Sequence, residues 1–158
     1  MKKKLFSACL LTTALLAGCG GGTINEADVE GCEHLQEGPS SIVTATSSAT
    51  DAPDVFSNHR RYDISLVDVT GGKGGFVSFD VAHAAEYILF TGADVPVVVR
   101  NAAGEMVAFE ATAKASPECT DVKGRHTVEL AVGTYTFNFG PTLQGVVSLV
   151  IEEVAHEH

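Results

Sequence analysis

The sequence has no tryptophan and only three tyrosines among its 158 residues. A carbohydrate-binding face needs exposed aromatic platforms, and two of the three tyrosines, Tyr62 and Tyr135, fall at apolar strand positions instead. Basic charge is also scarce. Ten Lys and Arg stand against 20 Asp and Glu, a net charge of −10, so there is no basic face to neutralise phosphates and nucleic acid is not an expected partner. Neither a Gly-x-Ser-x-Gly elbow nor a His-Glu-x-x-His motif is present. The run Gly71-Gly72-Lys73-Gly74-Gly75 has no Ser or Thr after its lysine and lacks phosphate-loop spacing, so it reads as a loop joining two strands. Glu152 and Glu153 are adjacent, and neighbours in a strand point to opposite faces, which spoils a joint acid–base role. No enzyme activity is expected. Sustained helical periodicity is missing, with only a short hint at Val81–Tyr87, and no repeat of 20 to 50 residues is visible. The length suits one domain.

What is present begins with a basic start, Lys2-Lys3-Lys4, followed by the mostly apolar run from Leu5 to Gly18. At 14 residues that run is too short for a membrane-spanning helix, which needs about 20. It ends Leu16-Ala17-Gly18-Cys19 and is followed by three glycines. Over roughly the first 22 residues the chain resembles the lipobox signal of bacterial lipoproteins. The resemblance implies that residues 1–18 are a cleaved signal peptide and that Cys19 is the lipidated new N-terminus. It also implies anchoring to the membrane through that lipid. Gly20, where an inner-membrane retention signal would place Asp, points to the outer membrane, facing the periplasm. Removing Lys2, Lys3 and Lys4 leaves seven basic residues against 20 acidic ones, a net charge of −13. That charge keeps the domain off anionic headgroups and raises the local cation concentration.

On this reading Cys9 leaves with the signal peptide and Cys19 carries lipid, so Cys32 and Cys119 remain. In an oxidising compartment the default is a disulfide between them, stabilising by about 4 to 5 kcal/mol through loop-closure entropy. The competing reading makes both thiolates metal ligands. Residues 19–31, with Gly, Asn and acids and no apolar pattern, read as the lipidated cysteine and a flexible tether, and 32–158 as the folded domain.

Within 32–158 the signal is strand. Tyr62, Ile64 and Leu66 alternate with polar residues. So do Tyr135, Phe137 and Phe139, while Val147, Leu149 and Ile151 alternate with Ser148, Val150 and Glu152. This is period two, with one face buried and the other mostly not. Shorter runs lie at Ser41–Thr46, Gly75–Asp80, Glu86–Thr91, Val95–Arg100, Glu105–Phe109 and His126–Val132, for eight or nine strands in all. Asn101-Ala102-Ala103-Gly104 and Val132-Gly133 read as hairpin connections, and Gly38-Pro39 and Gly140-Pro141 as breaks. The expected fold is all-β, a single antiparallel β-sandwich.

Six histidines supply the candidate chemistry: His34, His59, His83, His126, His156 and His158. Imidazole is the commonest ligand for zinc or copper. Cys32-Glu33-His34 opens the domain, and His156-Glu157-His158 closes it with two rings on one side of an extended strand. His126 shares a face with Val128 and Leu130. The expected ligands are drawn from His34, His59, His126, His156 and His158, with Glu33 or Glu157 as a fourth, and His83 is a bystander. A Cys32–Cys119 disulfide would bring His34 toward His126. A blue-copper set is not expected, because Met106 is the only methionine after the signal segment, and two cysteines cannot make a zinc ribbon. The sequence thus predicts a lipid-anchored envelope protein whose histidines bind zinc or copper(II), with a transporter or another envelope protein as partner. The alternative is a non-catalytic structural or protein-interaction module without metal.

Overall fold

The computed structural model describes residues 25–154. Residues 1–18, for which a signal peptide is expected, and Cys19, His156 and His158 lie outside the described residues. The described residues open with the helix α1 (Glu26–Glu37), followed by β1 (Ser40–Thr44), β2 (Asp54–Val55), β3 (Arg61–Ser65), β4 (Val67–Val69), β5 (Gly72–Val81) and β6 (Ala85–Thr91). It continues with β7 (Val97–Asn101), β8 (Met106–Val107), β9 (Ala111–Ala113), β10 (Gly124–Leu130), β11 (Gly133–Thr142) and β12 (Val146–Glu153). No helix among the described residues is long and apolar enough to cross a membrane.

The strands form two sheets. The first runs β1-β3-β12-β6-β10-β9, and the second runs β2-β5-β11-β7-β8, with β4 also on β5. The all-β expectation holds, but both sheets are mixed rather than antiparallel. β1 pairs parallel to β3, and β2 pairs parallel to β5. Period-two patterning reports which residues face inward and carries no information on strand direction. The parallel pair β1/β3 arises because the intervening chain visits the second sheet as β2 before returning. The twelve strands among the described residues exceed the expected eight or nine because β2, β4 and β9, of only two or three residues each, are too short to show a period.

One apolar core lies between the sheets. Val77, Phe79 and Val81 of β5 and Tyr135, Phe137 and Phe139 of β11 meet Tyr87 and Leu89 of β6, Val128 and Leu130 of β10, and Leu149 and Ile151 of β12. Phe79 and Tyr87 bridge the two sheets edge to face, with ring centroids 5.4 Å apart. The expected turn at Asn101–Gly104 closes with the Gly104 amide donating to the Asn101 carbonyl at 2.8 Å. The glycine run is only partly a loop: the turn is Thr70-Gly71, and Gly72 already begins β5. Gly75 has φ +144°, and a Cβ there would stand 2.7 Å from Ala45 Cβ, so a strand glycine is needed where a neighbouring chain segment passes close.

The tether expectation is corrected by α1. Residues 26–31 are helical, and the helix lies on the outer face of the first sheet, against β12 and β6. Asn25 caps it by accepting from the Ala27 amide at 3.1 Å, Glu26 and Asp28 sit in its first turn, and Gly38-Pro39 follows its end. Its buried stripe is Ala27, Asp28, Gly31, Cys32 and Leu35. Only two of those are ordinary apolar residues, so no helical hydrophobic period was readable. Gly31 costs helix propensity, but a Cβ there would collide with the Phe90 ring, and this close approach seats the helix. Beneath it a second, smaller cluster joins Ala27 and Leu35 to Ile88, Phe90, Val122 and Val150. Strands β6 and β12 are therefore covered on both faces at Ile88, Phe90 and Val150.

Candidate metal centre on the helix face

The sheet's pleat decides which histidines can meet. In the register of β10, β6 and β12, His126 is level with Leu89 and Leu89 with Ile151, all facing the inner core. Arg125, Phe90 and Val150 alternate with them and face the helix. Glu152 is two residues beyond Val150 and shares that outer face.

His34, in the last turn of α1, comes down on Glu152. Its Nδ1 lies 2.6 Å from Glu152 Oε1. His59 arrives from the connection between β2 and β3 with its Nδ1 3.7 Å from Glu152 Oε2, and the two imidazole rings are 5.0 Å apart and tilted by 58°. Ligand-capable atoms of His34, His59 and Glu152 all lie within 4.8 Å of one another. Burial grades outward through the site: the side chain of Glu152 is 4% exposed, that of His34 19% and that of His59 68%. The cluster thus has a buried carboxylate floor and an open side toward solvent.

Each element is held in place. His59 adopts φ +56°, a left-handed conformation unusual for a residue with a Cβ. Beside it Tyr62 donates to Asn58 Oδ1 at 3.1 Å, and Arg60 donates to Ser41 Oγ at 2.8 Å, fixing the connection to β1 and β3. Arg61 donates to the Leu35 carbonyl at 3.0 Å next to His34 and to both carboxylate oxygens of Asp63 at 3.1 and 3.2 Å. At the other end of α1, Arg125 grips Asp28 through two bonds of 2.7 and 2.8 Å, and Ser116 Oγ donates to the same carboxylate at 3.0 Å. The Cys32–Cys119 disulfide pins the middle, with Cα atoms 5.9 Å apart across a sequence separation of 87.

Burial raises the pKa of Glu152, and the nearby charge of Glu30 adds to the rise, while the hydrogen bond and charge of His34 and the charge of His59 oppose it. An ionised carboxylate there needs cationic company. The present 2.6 Å between His34 and Glu152 is a hydrogen-bond distance. Two ligands of one tetrahedral ion, with bonds near 2.0 Å, stand about 3.3 Å apart. A bound cation would take the place of the shared proton and part the two groups by less than an ångström. Two imidazoles and a carboxylate with an open fourth side suit zinc or copper(II).

The disulfide forms as expected, but it does not bring His34 to His126. It staples α1 to the outer face, whereas His126 points inward from the same sheet. There His126 stacks obliquely on Phe109 at 4.7 Å, its Nδ1 lies 3.2 Å from Thr112 Oγ1, and its buried Nε2 has no partner among the described residues. Burial lowers its pKa, opposed in part by Asp94. His83 is exposed, and its backbone carbonyl accepts from the Tyr87 hydroxyl at 2.9 Å. Glu33 is exposed and lines a shallow depression with Cys32, Gln36 and Glu118, away from the cluster. In the sequence Glu152 stands out only as half of an adjacent acid pair. The two do face opposite ways, and Glu153 lies 3.4 Å from the Tyr87 hydroxyl. A glutamate closing the apolar run Leu149-Val150-Ile151 was the available signal. No protein-family model matches the chain, and none of the curated proteins does.

Proposed function

We propose that the chain is a lipid-anchored envelope protein whose β-sandwich domain binds one divalent transition cation, zinc or copper(II), through His34, His59 and Glu152. The observation that supports this is the convergence of two imidazoles and a buried carboxylate from a helix, a connection and a strand. The net negative charge favours cation arrival. The lipobox-like N-terminus supports placement on the periplasmic side of the outer membrane, where such a site would buffer a metal or pass it to a transporter.

Calorimetry on the full chain in detergent, with His156 and His158 replaced by Ala throughout, tests the site. About one equivalent of zinc or copper(II) is expected to bind. The double variant His34→Ala/His59→Ala should lose it, and His126→Ala and His83→Ala should keep it. Undiminished binding in the double variant would sink the assignment.

A second reading, a protein-interaction module without metal, draws on a different place. Edge strand β8 borders an apolar cavity of about 320 Å³ lined by Val97, Val98, Met106, Val107 and Phe109, with Met106 70% exposed. There an extended apolar segment of another envelope protein would add as a strand. Capture through β8 that survives loss of His34 and His59 would favour this reading.

A further inference from the structure

At one edge of the sandwich the chain crosses from the second sheet to the first. β8 is an end strand of the second sheet and β9 an end strand of the first, so residues 106–113 run between the sheets as a strap. Its hold is slight. β8 meets β7 at two residue pairs and β9 meets β10 at three, and Ala111, Thr112 and Ala113 are all exposed. The Glu110 amide donates to the Thr127 carbonyl at 2.9 Å. Lys114, just beyond β9, reaches Asp94 at 2.7 Å, an exposed pair of small worth. Phe109, midway along the strap, packs on the core, and Met106 to Phe109 line the apolar cavity together with Val97 and Val98.

The ring that this strap covers is His126. Thr112 is its register partner, with Oγ1 3.2 Å from Nδ1, and the Phe109 ring lies on the imidazole at 4.7 Å with a tilt of 30°. Both neighbours belong to the strap. The residue is 8% exposed, and its Nε2 has no hydrogen-bond partner among the described residues. That atom turns toward Gly124, where a Cβ would stand 3.1 Å away, and the nearby Thr91 hydroxyl donates to the Ala93 carbonyl at 2.9 Å. An imidazolium carries two N–H donors and a full charge, and both are costly to bury unpaired. Asp94, from the β6–β7 connection, acts on the ring but is already bonded to Lys114. Arg125 lies on the opposite face of β10, bonded to Asp28. Glu110 of the strap acts on Glu86, on that opposite face as well. Leu89, Thr91, Thr112 and Gly124, the other neighbours from β6, β9 and β10, do not titrate.

We propose that His126 is the trigger of a pH-sensitive strap: proton uptake by its ring releases residues 106–113 from the edge of the sandwich, opening the apolar cavity and baring the edges of β7 and β10. In the closed form the ring is held neutral under Phe109 and Thr112. In the open form water solvates the second N–H and the charge. Burial pushes the pKa of the ring below the ordinary 6.5, so closure is favoured above that value and weakens as pH falls through the folded one. Glu86 works in the opposite sense. Burial and Glu110 raise its pKa, and loss of its charge relieves repulsion against the strap.

Hydrogen exchange on the full chain in detergent, between pH 7 and 5, tests the device. It is read as protection factors, which remove the pH dependence of the exchange chemistry itself. Protection over 106–113 should fall about tenfold for each pH unit below 6.5 until the folded ring titrates, while β5 and β11 stay protected. His126→Leu should abolish the fall, and Glu86→Gln should leave it in place. A fall that persists in His126→Leu, or vanishes in Glu86→Gln, would put the trigger elsewhere and overturn the proposal. Equal loss in β5 and β11 would mean ordinary acid unfolding and would overturn it too. NMR of the His126 ring in the parent chain gives a test that does not depend on the variant folding. A ring that takes up its proton while 106–113 remain protected would overturn the trigger directly.

Discussion

The inner and outer faces of the first sheet are held by different forces. On the inner face, rows of Val, Leu, Ile and Tyr merge with the facing rows of the second sheet into one cluster, where stabilisation scales with apolar area removed from water. On the outer face, α1 contributes only Ala27 and Leu35 to a small apolar cluster. Directional contacts carry the rest: Arg125 on Asp28, Arg61 on the Leu35 carbonyl, the Cys32–Cys119 link and His34 on Glu152. Non-directional burial tolerates many sequences. A thin interface needs named partners in fixed places, and fixed polar partners at a half-open seam are also what a cation site requires.

The largest expected effect tests the inner face. Phe137 is fully buried at the centre of β11, and Phe137→Ala should cost about 3 to 5 kcal/mol. Urea unfolding would show one earlier transition for the whole domain. A loss below about 1 kcal/mol would mean that the core does not depend on this ring.

Next in size is the outer face. Arg125→Met leaves the Asp28 carboxylate buried without its cation, at a cost of about 3 kcal/mol. The damage should be local. Hydrogen exchange should lose protection over 26–37 while β5 and β11 keep theirs, because the disulfide and the core are intact. Adding Asp28→Asn should restore most of the protection. Uniform loss across the strands would show that the two faces do not melt separately.

The smallest effect separates the faces by pH. His126, inside, has its pKa lowered below the ordinary 6.5 by burial, so its contribution is present above that value and is lost as pH falls through the folded one. Glu152, outside, has its pKa raised above the ordinary 4.5, so its contribution is present below 4.5 and is lost as pH rises through the folded one. Urea midpoints between pH 7 and 4 should therefore fall less in His126→Leu than in the parent, and more in Glu152→Gln. Shifts in the same direction in both variants would contradict the opposed burial effects.

Much of the inner face was legible in the chain. Tyr135, Phe137 and Phe139, and likewise Leu149 and Ile151, announced their strands because one side of a pleat alternates with the other. The outer face was not. Val150 and Glu152 stood in solvent-side positions of that pattern, and both are buried because a helix covers them. The helix was hidden because its seat is a glycine against a phenyl ring and an aspartate against an arginine, neither of which produces a hydrophobic period. His34 and His59 were legible as candidate ligands by residue type. Glu152 was not, because its place beside His34 depends on a residue 118 positions away in the chain and on a helix that leaves no hydrophobic period.

By itself the sequence determined the β content and most strand positions, since local periodicity suffices for these. Strand direction, the helix on the outer face and the separation of His126 from His34 were decided only by tertiary structure. Each depends on which side of a sheet a distant segment covers, and a one-dimensional pattern does not carry that information.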